Sequence, residues 1–165
     1  MEQLTTIELS KEDTKFSAAH FTIFSATERE RLHGHNFAVR LAVTAPVGPD
    51  GICFSYGEIK EKLRALCAAI DEYTLIPALS PHLIIEDDGD YHVVIFNGER
   101  MPLLKSDTLL LPIRNSTVEE YARYLLEQFL ADHAFNWQRD IRRLEVSVSS
   151  GPGQWGNCVW HAPEK

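Results

Sequence analysis

Three histidines carry the clearest chemical signal in this chain: His20, and the pair His33 and His35 separated by Gly34. Zinc at a catalytic site usually takes three protein ligands and leaves one position open for water or substrate. In an extended segment, residues i and i+2 project from the same side, roughly 6 to 7 Å apart along the backbone. The rings of His33 and His35 can therefore converge on one ion, with Gly34 keeping the opposite face free of bulk. His20 ends an upstream segment in which Phe16, Ala18 and His20 share a face. An antiparallel return through the loop from Phe21 to Leu32 can bring it opposite the pair. Such pairs also occur on ordinary surface strands, so spacing alone suggests a metal without establishing one. His82, His92, His133 and His161 have no partner at ligand spacing.

The elements that must hold these residues follow from apolar periodicity. Leu4 to Leu9, Thr14 to Phe21 and Asn36 to Thr44 alternate as strands, the last with Phe37, Val39, Leu41 and Val43 on one face. Pro46 to Gly51 turns the chain. From Ser55 to Glu72, Ile59, Leu63, Leu66, Cys67 and Ile70 recur at helical spacing. His82 to Glu86 and Tyr91 to Phe96 form a hairpin across Asp87-Asp88-Gly89-Asp90, and Asn97-Gly98 is a further turn signal. A second helix opens at Asn115, with Ser116 as cap and Glu119 reaching back to complete a capping box. Val118, Tyr121, Ala122, Leu125 and Phe129 give it a buried stripe. Leu144 to Ser150 and Asn157 to His161 close the chain as strands around Gly151-Pro152-Gly153. This order predicts an α+β fold with a mostly antiparallel sheet.

Composition bounds the function. The 165 residues, 44% hydrophobic and 24% charged, show no repeat or linker and read as one domain spanning 1–165. A net charge of −8 without a basic stripe argues against a nucleic-acid partner. No apolar run approaches the roughly 18 residues of a membrane span, and the N-terminus does not read as a secretion signal. Cys53, Cys67 and Cys158 form no close-spaced pair. They fit reduced thiols in a cytoplasm, each a small buried hydrophobe rather than a ligand.

With these residues in view, the chain resembles the family of 6-pyruvoyl-tetrahydropterin and 6-carboxy-tetrahydropterin synthases. The matching text is FSAAH at Phe16 to His20 and LHGHNF at Leu32 to Phe37. It continues through Asp50 to Lys60, IDEYTLIP at Ile70 to Pro77, and NSTVEE at Asn115 to Glu120. Pro81 to Pro112 looks like an insertion relative to shorter members. The resemblance implies a tunnel-fold (T-fold) subunit: an antiparallel four-stranded sheet with two helices on one face, here with an inserted hairpin. It implies a homo-oligomer, a trimer or hexamer, with active sites at subunit interfaces. It also implies zinc on His20, His33 and His35, polarising oxygens on the side chain of a dihydropterin substrate.

Three usual functional positions differ. The position of the family's cysteine is Arg29, its Asp-His relay becomes Asp71-Glu72, and its pterin-anchoring glutamate falls at Ser149-Ser150. Some relatives use a glutamate just before the HGH motif instead, and Glu30 stands three residues before His33. A carboxylate near zinc accepts a proton well if desolvation raises its pKa toward neutrality; otherwise Glu30 is one more charge in a polar run. Asp71 and Glu72, two carboxylates at a helix end, oppose the helix dipole, which marks either a proton relay or a surface. Thr117 and Glu119 match the family's substrate-side T-x-E, although the capping box also accounts for Glu119.

The reading is a zinc-dependent lyase acting on a dihydroneopterin-type substrate, with Glu30 as base. The rival is a zinc-containing T-fold protein without lyase activity that serves as a binding or assembly module. An HxH oxygenase wants an acid a few residues after the pair, and Asn36 to Thr44 contains none.

Overall fold

In the computed structural model, which describes residues 3–131 and 140–163, the alternation read near the HGH motif sets the framework. Strand β3 (His33–Pro46) buries Phe37, Val39, Leu41, Val43 and Ala45 and leaves Ala38 and Arg40 exposed between them. Because side chains alternate with period two, a slip of one residue would turn the whole apolar set to solvent, which fixes the register. Strand β1 (Leu4–Leu9) pairs with the C-terminal half of β3, and β2 (Lys15–His20) with its N-terminal half. On the other edge lies β9 (Arg143–Ser149), followed by β10 (Gly156–His161). All four of these pairings are antiparallel.

The sheet goes further than four antiparallel strands. β2 also pairs in parallel with β4 (Tyr73–Pro77), and β4 in parallel with β8 (Thr108–Leu111), giving seven strands in a mixed sheet. Parallel neighbours cannot be joined by a tight turn and need a crossover. Here the crossover is itself a separate three-stranded sheet: β5 (Leu83–Asp88), β6 (Tyr91–Phe96) and β7 (Glu99–Leu104). The expected hairpin is thus the first two strands of a meander. Asn97 and Gly98, with φ of 47° and 79°, form its second turn. Both central residues of a type I′ hairpin turn need positive φ.

Helices α1 (Tyr56–Ala68) and α2 (Val118–Leu130) bury Ile59, Leu63 and Cys67, and Tyr121, Ala122, Leu125, Leu126 and Phe129, against the inward face of β3. α1 stops at Ala68 with Ala69 as its C-cap, short of the predicted end. Asp71 and Glu72 therefore occupy the turn into β4, and the dipole argument for them lapses. Burial pushes the Cys67 thiol up to about 12, with Asp71 and Asp13 adding to it, as suits an inert core thiol. A second, smaller core of Phe21, Ile23, Ile76, Val94 and Phe96 joins the crossover sheet to the loop after β2. Among the described residues no helix is long and apolar enough to cross a membrane. His133 lies outside the described residues.

The expected cap moves by one residue, and the box does not close. Thr117 is the N-cap of α2, its hydroxyl accepting from the Glu120 amide at 3.4 Å, while the buried Ser116 hydroxyl donates to the Leu75 carbonyl at 3.2 Å. Glu120 does not reach back to the cap. It accepts from the Arg114 amide at 2.7 Å and pairs with Arg114 and Arg123 at 3.0 Å each. Burial alone would raise this carboxyl, but the bonds from Arg123 and Arg114 outweigh it and hold the pKa at about 2, below its ordinary 4.5. A depressed carboxylate adds stability above its unfolded pKa and loses it as pH falls toward the folded value. Glu120→Gln should therefore cost about 1 to 2 kcal/mol at neutral pH. It should also flatten the fall in thermal midpoint below about pH 4.5, read by circular dichroism.

Candidate metal centre

Antiparallel pairing of β2 with β3 sets His20 directly across from His33, and Ala18 across from His35. Cross-strand partners and i, i+2 neighbours share one face of a sheet. All three imidazoles therefore project from the face that carries Phe16 and Phe37 into the core. Ring centroids lie 4.7 Å apart for His20 and His33, 5.3 Å for His20 and His35, and 4.8 Å for His33 and His35. One ligand atom from each falls within 4.8 Å of the others.

The remaining ring contacts fix which nitrogens are free. His20 Nδ1 donates to the Ser116 carbonyl at 3.0 Å, and His33 Nδ1 to the Arg31 carbonyl at 2.7 Å. A backbone carbonyl on one ring nitrogen leaves the other with its lone pair, the usual arrangement behind a metal ligand. His20 Nε2 is buried and has no hydrogen-bond partner among the described residues. Burial is also the largest influence on the His20 pKa and lowers it, with His33 and His35 contributing, so the ring stays neutral and able to bind a metal. Three imidazoles converging beside one orphaned nitrogen fit a zinc-type ion with an open fourth position.

Ser116 is held in turn by Asn115, whose Oδ1 accepts from the Ser116 and Ile23 amides at 2.9 and 3.0 Å and whose Nδ2 donates to the Ile23 carbonyl at 2.8 Å. The turn before α2 is thus tied to the loop after His20, a role that no residue pattern in the chain marks.

Glu30 stands beside the cluster. Its Oε2 accepts from the Thr22 amide at 2.9 Å, its own amide donates to the Thr22 carbonyl at 2.8 Å, and Oε2 lies 4.0 Å from His33 Nε2. Burial pushes its carboxyl up, but the Thr22 backbone and hydroxyl together with His33 and His20 outweigh it, leaving the pKa below the ordinary value. The expected upward shift does not occur, and Glu30 is a carboxylate at neutral pH.

A cavity of about 600 Å³ opens over these groups. His20, His35, Thr22 and Glu30 line it on one side, Thr117 and Glu119 on another, and Ser150, Gln154, Trp155 and Asn157 on a third. Freed from the cap, Glu119 is available to this space. Trp155 is braced by Arg40, whose guanidinium carbon stands 3.7 Å from its ring centroid. Gly156 starts β10 against the first turn of α2, where a Cβ would meet the Val118 carbonyl carbon at 2.8 Å and the Glu119 nitrogen at 2.9 Å.

Asp71 and Glu72 do not line this cavity. Asp71 Oδ1 accepts from the Ser17 amide at 2.6 Å and the Glu72 amide donates to the Ser17 carbonyl at 2.7 Å, with Glu72 at φ 63°. Glu72 lines a second cavity with Asn36, Tyr73 and Asp107, and His35 borders both spaces.

Known proteins share this fold. Residues 8–159 match the model of the family described as 6-pyruvoyl tetrahydropterin synthase. A protein of Methanocaldococcus jannaschii provisionally named 6-carboxy-5,6,7,8-tetrahydropterin synthase is 26% identical over 147 residues, covering 87% of this chain and 88% of that one. The crystal structure of 6-pyruvoyl tetrahydropterin synthase from Plasmodium vivax superposes with a TM-score of 0.92 at 29% identity, over 98% of this chain and all of that one. The Plasmodium falciparum counterpart gives 0.90 at 28%, over 96% and 99%. The P. vivax protein has also been solved with a catalytic glutamate replaced by alanine or by cysteine.

Proposed function

Because the chain belongs to the 6-pyruvoyl tetrahydropterin synthase family, we propose that it is a zinc-dependent lyase acting on the side chain of a dihydroneopterin-type pterin. The observation that carries this reading is the Glu30 carboxylate, 4.0 Å from His33 Nε2 beside three converging imidazoles. The catalytic glutamate of the P. vivax relative supports the same role for Glu30 here.

His20, His33 and His35 would hold the ion, which when bound would act as a Lewis acid toward hydroxyl and carbonyl oxygens of the substrate side chain. The chain's own groups do the rest. Ser116 and Arg31 carbonyls orient the His20 and His33 rings. Glu30, ionised and aimed by the Thr22 amide, takes a proton from the pterin side chain as general base. Glu119 offers a carboxylate to the ring N–H groups from the wall of the cavity, with Thr117 beside it. In an oligomer, a trimer or hexamer, Asp71 and Glu72 of one subunit would serve as a proton relay for the site of a neighbour. Within one chain Glu72 faces the second cavity.

The test is direct. Purified, zinc-loaded protein is incubated with dihydroneopterin triphosphate and, separately, with dihydroneopterin, and the pterin products are followed by fluorescence. Turnover of either substrate is the expected result. No turnover of both, with zinc bound, would leave the alternative of a binding or assembly module, which the absence of a carboxylate at Ser149-Ser150 favours.

A further inference from the structure

We propose that Arg29 is a positioning residue for Glu30, and that the β5–β7 crossover sheet sets the geometry of the cavity through it. The inference rests on the reading of Glu30 as base. It starts from a side chain that the metal centre does not use.

Arg29 turns away from the cavity. Its guanidinium carbon lies 5.0 Å from the Phe21 ring centroid and 5.5 Å from that of Phe96. Nη1 donates to the Glu30 carbonyl at 2.8 Å, and Nη2 stands 3.7 Å from Glu99 Oε2. The side chain is only 18% exposed, and its Nε is buried without a hydrogen-bond partner among the described residues.

A guanidinium in that position costs desolvation, and the Glu99 contact does not offset it. Glu99 is 75% exposed, and ion pairs to such partners contribute little. What the burial achieves is a grip on Glu30. The amide and carboxylate of Glu30 both bond to Thr22, and its carbonyl bonds to Arg29. Every polar group of the residue is thereby held, so the carboxylate leaves a fixed backbone in a fixed direction.

The far end of the grip belongs to the crossover. Phe96 closes β6 and Glu99 opens β7, on either side of the Asn97-Gly98 turn. Phe96 and Phe21 share the second core with Ile23, Ile76 and Val94. A shift of the crossover sheet therefore moves the rings against Arg29, and with them the carbonyl of Glu30. Proton transfer depends steeply on placement, and an error of 1 Å can cost about 10²-fold.

The test uses the zinc-loaded full chain and the pterin substrate that it turns over. Arg29→Met, which keeps the stem and removes the guanidinium, should lower kcat by about 10²-fold with KM and zinc content nearly unchanged. Phe96→Leu, a milder change made wholly within the crossover sheet, should lower kcat by about tenfold. Neither should slow a Glu30→Gln background further, because both act through Glu30. Hydrogen exchange gives a readout independent of activity: the Glu30 amide should exchange faster in both variants.

Parent-like kcat in both variants would overturn the proposal, as would losses that multiply with that of Glu30→Gln. If Glu30→Gln itself turns over at the parent rate, the base assignment falls instead. Exchange then decides on Arg29 alone, and unchanged protection of the Glu30 amide in both variants overturns its positioning role.

Discussion

Glu30→Gln should lower pterin turnover by about 10²-fold or more while leaving the zinc content of the protein unchanged. The amide keeps an oxygen for the Thr22 N–H at 2.9 Å and nearly the same volume, so the loop should hold its shape. What it loses is the ability to take a proton. The parent carboxyl, held below its ordinary pKa by Thr22 and the two nearby imidazoles, is ionised throughout the neutral range. The loss should therefore appear in kcat across that range rather than at one end of it. Steady-state kinetics paired with metal analysis by mass spectrometry checks this. A variant that keeps both rate and zinc would remove Glu30 from the role of base.

The second large effect is expected at His20. His20→Ala should abolish stoichiometric zinc binding, because it removes the proposed ligand, whose Nε2 is buried and has no hydrogen-bond partner among the described residues. With metal in excess at about a thousand times its Kd, a bound ligand stabilises the folded state by about 4 kcal/mol. That corresponds to roughly 10 °C in thermal midpoint for a domain of this size. Chelated parent protein should fall by that amount, whereas chelation should leave His20→Ala unmoved. His161→Ala, at the end of β10, should bind zinc and respond to chelator as the parent does. A chelator-induced drop that persists in His20→Ala would remove His20 from the ligand set.

Much of this site was legible because it depends on short-range rules. The period-two run after the HGH motif fixed which face of β3 is buried, and a return strand opposite it put His20 next to His33. The cap was harder, because Ser116 to Glu119 and Thr117 to Glu120 have the same spacing. The choice fell to tertiary contacts: Ser116 is buried and spends its hydroxyl on Leu75, and Glu120 finds two arginines. No pattern in the chain announces the parallel pairing of β4 with β2 and β8, since two distant segments must meet. β7 carries no clear strand signal because Pro102 interrupts it. Proline is tolerated there because β7 is the edge of its sheet and pairs only with β6. The upward pKa shift expected of Glu30 does not occur because hydrogen bonds from the Thr22 backbone and hydroxyl, with the nearby His33 and His20 imidazoles, outweigh burial, and none of these contacts is visible in sequence.

The contact at Gly156 bears on how such a cavity can change over time. Where β10 meets the first turn of α2, main chain lies directly against main chain, with no room for even a methyl group between them. The span between Glu119 and this strand is therefore not adjustable by exchanging one side chain for a larger or smaller one. Diversification toward another substrate must proceed at the tips, through Ser150, Gln154, Trp155 and Asn157, while the wall behind them stays the same width.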